Sequence, residues 1–258
     1  MAASTGIPVL YEDNHLLAVV KPPGIPSQAD ESGDEDMLTL LKQDLKIRHD
    51  KPGNVFLGLV HRLDRPVGGV MLFAKTSKAA GRLSDSVRTR TFSKTYLAVL
   101  NGRPPQSKGQ LKHYLAKDSK RNVVTAYDKP RGDAKEAKLS YAVLGEADGL
   151  ALAAVRLHTG RPHQIRVQMA AIGCPLHADL KYGAPVPRGD KSRSGHADIA
   201  LWSAEAGIPH PVSKEWMSFA SRPPSSFPWN LWEDSLLDGA ARHLETEFGA
   251  EAGNAEPR

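Results

Sequence analysis

The chain has 258 residues, 40% of them hydrophobic and 24% charged, enough for a substantial core in one large domain or two small ones. No run approaches the roughly 18 apolar residues of a membrane span, and the opening "MAASTGIPVLYEDNHLL" lacks the basic-then-apolar order of a secretory leader. The single cysteine, Cys174, excludes an internal disulfide framework and a cysteine-built zinc site, and fits a reducing, cytoplasmic setting.

The net charge of +5 is unevenly spread. Residues 1–37 hold seven acids against one Lys, and residues 231–258 hold seven acids against two Arg. With −6 and −5 at the two ends, an overall +5 leaves +16 on residues 38–230. A surplus of that size is a footprint for a polyanion, nucleic acid first, although basic surfaces also serve plain solubility.

In chain order, Pro8–Tyr11 and Leu16–Lys21 flank the turn sequence "EDNH" and predict a β-hairpin. "KPPGIPSQADESGDED" (21–36) reads as a loop. Met37, Leu41 and Leu45 then recur at helical spacing, so an amphipathic helix starts near Asp36. Strands are expected at about 56–60 and 69–75, followed by a helix capped by Ser77 that buries Ala80, Leu83 and Val87. "SKTYLAVLNG" (93–102) reads as a strand, and 139–144 with 150–157 as a hairpin turning at "GEADG". In "HTGRPHQIRVQMAAIGCP" (158–175) Pro162 suits a first helical turn, Ile165, Met169 and Ile172 make one face, and Gly173 with Pro175 end it. "VPRGDKSRSG" (186–195) reads as a mobile basic loop, and 231–258 as a separate acidic tail with a short helix at 236–247. Strands adjoin at hairpin distance rather than alternating with helices. The fold class expected is therefore α+β around a mixed, mostly antiparallel sheet.

Nucleophile-elbow, P-loop, dinucleotide-fold and H-E-x-x-H patterns are missing. His158 and His163 are five apart, which does not align them on one helix face as metal ligands. Three segments place charge at the lip of apolar elements. Arg62-Leu63-Asp64-Arg65 holds one carboxylate among cations, which keeps it ionised and fit to act as nucleophile or base; a surface salt-bridge cluster gives the same pattern. Lys94-Thr95-Tyr96 opens an apolar strand, where Tyr96 is either ordinary core or a stacking face for a base. Arg161 to Arg166 begins a helix near its positive end, where Arg166 is either solvated or functional. Together they point to cofactor-free chemistry on nucleic acid.

"HRLDRPVGGVMLFAKT", "KTYLAVLNG" and "LHTGRPHQIRVQMAAIGCPLHADLKYG" resemble, in order and spacing, signature segments of the RluA-type RNA pseudouridine synthases. "VVKPPGIPSQ" (19–28) is similar to that family's N-terminal Lys-Pro-x-Gly motif, and "IPHPVSKEWMSFASRPP" (208–224) to its closing His-Pro segment. The resemblance spans about residues 9–225. It implies the family's mixed-sheet fold and isomerisation of uridine to pseudouridine in ribosomal or transfer RNA, on a flipped-out nucleotide. It assigns Asp64 as the catalytic residue, Tyr96 to the uracil pocket and Arg166 to pairing with the catalytic carboxylate. Arg62 is implied to fill the gap left by the extruded nucleotide. His61, Arg65, Lys94, Arg161, His163, Gln164 and Ile165 are the further RNA contacts expected. No cofactor, metal, membrane or protein partner is implied, and a monomer is expected.

The expected organisation is a tail at 1–8, a catalytic domain at 9–230 with no S4-type RNA-binding segment before it, and an acidic tail at 231–258. Val67-Gly68-Gly69, Gln168, Ala178 and Leu201-Trp202-Ser203 depart from the family's usual residues. Two other readings stand beside this one. One is a catalytically inactive RNA-binding module of the same fold; the other is a nuclease using Asp64 with a His, for whose metal-dependent form the basic middle offers no obvious carboxylate cluster.

Overall fold

The computed structural model describes residues 6–183 and 198–249. The expected basic loop at 186–195 lies outside them, as do the first five residues and the end of the acidic tail. The chain divides into two units, Met1–Ser93 with Glu205–Ser221, and Lys94–Ala204 with Arg222–Arg258.

In the first unit, β1 (Val9–Glu12), β2 (Leu16–Lys21) and β4 (Gly68–Ala74) pair antiparallel in that order, and the two-residue β3 (Gly58–Leu59) joins β4. Every residue of β4 is buried, as its unbroken apolar run requires. Leu16, Ala18, Val70, Leu72 and Ala74 share one core with Leu83 of a helix, α2 (Ser77–Arg88). The hairpin of β10 (Leu201–Pro209) and β11 (Trp216–Ala220) adds Ala206, Ile208 and Phe219 to it.

The other helix of this unit, α1 (Met37–Arg48), starts after Asp36 as expected, with the Asp36 carboxylate accepting the amides of Leu38 and Thr39. The cap of α2 is Thr76 rather than Ser77: Thr76 has the extended backbone of a capping residue and its Oγ1 accepts the Ala79 amide at 3.1 Å, whereas Ser77 is already helical. The strand expected over 56–60 shrinks to Gly58–Leu59, and Phe56 is exposed.

Two polar clasps tie the turns of this unit together. Glu12 takes Arg48 at 2.8 Å, His49 at 2.7 Å and Lys75 at 2.6 Å, joining β1 to the end of α1 and of β4. His210 meets Asp13 through Nε2 at 2.8 Å, while its Nδ1 accepts the Ser213 amide at 3.0 Å.

In the second unit β5 (Ser93–Asn101), β9 (Leu150–Leu157), β8 (Lys135–Ala147), β6 (Lys108–Asp118) and β7 (Val123–Tyr127) form an antiparallel ladder in that order. Few helices set against mostly antiparallel strands make the fold α+β, as expected. The β8–β9 turn is the expected Asp-Gly one, with φ 51° at Asp148 and 74° at Gly149. The hairpin β6–β7 was not foreseen, because Lys108, Lys112 and Lys117 interrupt any apolar run there.

Tyr96, Val155 and Tyr141 are in register on one face of this ladder. The helix α3 (Gln164–Ala171) covers that face, with Val167 packed beside Ala137. It begins two residues after Pro162, because His163 sits in the left-handed region at φ 50°.

The opposite face, with Thr95, Ser140 and Arg156, meets the acidic C-terminal segment. That segment is not the separate tail expected. After α4 (Asp234–Leu237), α5 (Ala240–Phe248) packs on β8 and β9, burying Leu237, Ala240 and Leu244. Acidic composition concealed an apolar stripe, and the acids find cations: Arg222 holds Asp234 and Asp238, and Lys108 meets Glu247 at 2.7 Å.

Leu244 has no solvent exposure, so Leu244→Ala should cost about 2–5 kcal/mol, read from the urea midpoint. Burial pushes the Glu12 carboxyl up, but hydrogen bonds from Lys75, Arg48 and His49 outweigh it and bring the group down to about 2. A carboxyl depressed in the folded state contributes stability above its ordinary value of 4.5 and loses it as pH falls toward 2. Glu12→Gln should therefore lower stability at pH 7 and flatten the acid limb between those values in a pH series of thermal melts.

Candidate active site

The loop between β3 and β4 carries Asp64, and its backbone is fixed from several sides. Leu63 is buried, and its carbonyl and amide both bond the Ser27 hydroxyl, at 2.7 and 3.1 Å. The Val67 amide closes a turn on the Asp64 carbonyl at 2.9 Å. Lys21, with no solvent exposure, donates its ammonium to the carbonyls of Pro22, Arg65 and Val67 at 3.0, 3.0 and 2.7 Å. Three carbonyl acceptors on one cation, that of Val67 buried and the other two partly so, offset much of the cost of removing the charge from water.

Neighbours of Asp64 divide the work. Arg65 donates Nε to the Gly24 carbonyl at 2.9 Å and ion-pairs Asp34, so it ties the loop to residues 24–34. His61 accepts the Leu72 amide through Nε2 at 3.1 Å and sets its ring edge-on against Phe92. Arg62 is exposed and Asp64 half-buried. Gly69, opening β4 opposite Lys21, has φ 115°, a conformation L side chains rarely adopt. That accounts for a glycine at position 69, while Val67 and Gly68 are where the chain departs from the family pattern.

The other expected residues belong to the second unit. Tyr96 is buried in β5 on the face that α3 covers. Half-buried Lys94 places its ammonium 3.2 Å from where a side chain at Gly160 would begin, bringing it beside the 158–161 loop, and burial lowers its pKa. Gln164 and Ile165, expected among the RNA contacts, are buried. The Gln164 amide is spent within the chain: Oε1 accepts the Thr159 hydroxyl and the Arg161 amide, both at 2.9 Å, and Nε2 donates to the Lys138 carbonyl at 3.0 Å. Arg161 donates Nε to the Glu136 carbonyl at 2.9 Å.

Arg166 is buried and grips Asp179 in a two-pronged pair, Nε to Oδ2 at 2.7 Å and Nη2 to Oδ1 at 2.9 Å. Its guanidinium also stacks 5.2 Å from the Tyr182 ring centroid. The Tyr182 hydroxyl meets His163 Nδ1 at 2.6 Å and accepts the Val124 amide at 2.9 Å. Sequence reasoning missed Lys21, Ser27, Asp179 and Tyr182 as site-builders. The available signals were a lysine closing an apolar strand and an acid in "HADLKYG". Gln168, where the family commonly has His, is buried and donates to His113 Nδ1 at 3.1 Å and the Ala137 carbonyl at 3.3 Å.

Removing one partner of a buried ion pair leaves a charge uncompensated. Asp179→Asn should therefore cost about 3–5 kcal/mol in urea unfolding, far more than Arg222→Ala at its exposed pairs.

A family profile described as RNA pseudouridylate synthase matches residues 15–171. An uncharacterized RNA pseudouridine synthase of Aquifex aeolicus (strain VF5) is 33% identical over 232 residues, covering 86% of this chain and 71% of that one. Ribosomal large subunit pseudouridine synthase C of Rickettsia bellii (strain RML369-C) is 32% identical over 176 residues, 68% of this chain and 56% of that one. The chain thus spans from 56% to 71% of the length of these two relatives. Among solved structures, human RNA pseudouridylate synthase domain containing 4 has the same fold, with a TM-score of 0.70, 24% identity and coverage of 84% of this chain and 88% of that one. The profile match, the relatives and the antiparallel architecture agree: the chain belongs to the RNA pseudouridylate synthase family, isomerases of the RluA type.

Proposed function

We propose that this protein converts uridine to pseudouridine in RNA, with Asp64 as its catalytic carboxylate and large-subunit ribosomal RNA as the substrate. The observation that carries the reading is the 61–67 loop: within a chain of this family, Ser27, Lys21 and the Asp64–Val67 turn bond fix the backbone on both sides of one half-buried acid. The substrate class follows the names of relatives such as the Rickettsia protein. The buried Cys174 suits a reducing, cytoplasmic setting.

The reaction breaks the bond from uracil N1 to C1′, turns the base, and joins C1′ to C5. The C5 proton is lost and N1 gains one, so atoms and electrons balance without a redox partner. The target nucleotide must first leave its stack, at a cost of a few kcal/mol. Exposed Arg62 offsets this by filling the vacated place, and Tyr96 offers a ring face or edge to the extruded uracil. Asp64 acts as an ionised carboxylate, either on C1′ or on a ribose proton. The family resemblance assigns Arg166 to pairing with this carboxylate, and its guanidinium is oriented by Asp179 and Tyr182. Lysines and arginines of the basic middle hold phosphates, which gives affinity without sequence information.

Asp64→Asn should abolish pseudouridine formation on ribosomal RNA in a single-turnover assay while RNA affinity stays within about threefold. A variant turning over at the parent rate would sink the assignment of Asp64. If instead affinity vanished with turnover intact at saturating RNA, the carboxylate would be a binding group.

A further inference from the structure

Strands β6, β7 and β8 turn one face toward α3 through Leu115, Val124 and Ala137. Their other face carries Lys112, Tyr114, Tyr127 and Lys138. In register, Tyr114 stands opposite Tyr127 on one side and Glu136 on the other, and Lys112 opposite Lys138. Lys112 lies 5.9 Å from the Tyr114 ring centroid, and the Arg131 guanidinium 5.0 Å from that of Tyr127. Glu136 bridges Lys112 at 3.2 Å and Lys138 at 3.0 Å, yet both lysines keep about half their side-chain surface, 55% and 43%. Both tyrosines are partly exposed and Arg131 is exposed.

Charge and shape here ask for the same ligand. Residues 108–138 hold nine Lys and Arg against four Asp and Glu. α5, which brings acids to this side of the ladder, packs on β8 and β9, and its Glu245 and Glu247 meet Arg156 of β9 and Lys108 at the start of β6, away from Tyr114 and Tyr127 in register. Cation surplus alone suits any polyanion, an acidic protein included. The guanidinium would serve a carboxylate as well as a phosphate, but two tyrosine ring faces beside it favour unpaired bases, which stack on them while the adjacent lysines take the phosphates between. A duplex hides its base faces and gains only the phosphate contacts.

We propose that this face of the β6–β8 ladder binds a single-stranded stretch of the RNA substrate, on the side of the unit opposite Tyr96 and α3. The proposal rests on the RNA-modifying function proposed above. The face adds affinity and takes no part in the bond changes.

The test is fluorescence anisotropy with a 5′-fluorescein oligouridylate of about 12 nucleotides, a length within the range that stacking grooves bind. Tyr114→Leu with Tyr127→Leu should weaken binding roughly tenfold or more, as loss of base–aromatic stacking does. Tyr114→Phe with Tyr127→Phe should stay within about twofold, because the ring faces remain. A blunt duplex of the same length should respond to the leucine pair by less than twofold. A folded leucine pair that binds the oligonucleotide as the parent does overturns the proposal. Displacement of the probe by polyglutamate at equal charge also overturns it, in favour of an acidic protein. If the leucine pair does not fold, Arg131→Ala with Lys138→Ala decides: roughly tenfold weaker binding with a shallower salt slope supports the proposal, and unchanged affinity overturns it. Failure of the parent protein to form pseudouridine would sink the proposed function and leave these affinities readable on their own.

Discussion

A lysine ammonium with no contact to solvent holds the turn behind Asp64. Lys21 ends β2, where a continuing apolar run would leave the buried carbonyl of Val67 and the partly buried one of Arg65 without this donor. Buried carbonyls without donors cost about as much as lost hydrogen bonds. One cation satisfies both and a third from Pro22 besides. The same contact keeps the charge itself tolerable inside the core. Strand β2, the loop after it and the turn after Asp64 therefore form together, and the acid's backbone position is set by folding rather than by substrate.

Legibility in the sequence followed how local each signal is. Apolar runs at 16–20 and 70–74 are buried strands because nothing interrupts them, and Asp36 with Met37, Leu41 and Leu45 marks α1 from cap to face. β6 escaped because exposed Lys108 and Lys112 fall on one face of the ladder, between half-buried and buried residues of the other, and only one face needs to be apolar. The short helix expected at 236–247 is present as α5, but its packing on the ladder escaped because net charge outweighed a stripe of three small or branched apolar residues. At the site, the resemblance supplied Asp64, Tyr96 and Arg166. Polar residues that position others stayed hidden, because their partners lie 46 residues away for Lys21 with Val67 and 36 for Ser27 with Leu63.

The departures from the family pattern are also backbone statements. Ala178 occupies φ 63°, where the family commonly has glycine, so a side chain is carried in a conformation that disfavours it. It sits directly before Asp179, whose carboxylate closes the pair with Arg166. Strain of that kind persists only where neighbours over-determine the geometry. Asp179 does so here, bonded at both oxygens by one guanidinium.

Holding Arg166 this way has a chemical consequence. A guanidinium at the start of a helix faces the positive end of the dipole, and burial adds a further penalty. Left to itself it would swing to water. Asp179 supplies the opposite charge in a planar fork, and Tyr182 covers the flat face, so the orientation is fixed before any RNA arrives. Lys21 does the corresponding work for the turn beside Asp64. In both units, then, a residue proposed to act on RNA is held by a buried ion or ion pair that never needs to touch it. Reorganisation that would otherwise fall on the chemical step is completed when the chain folds.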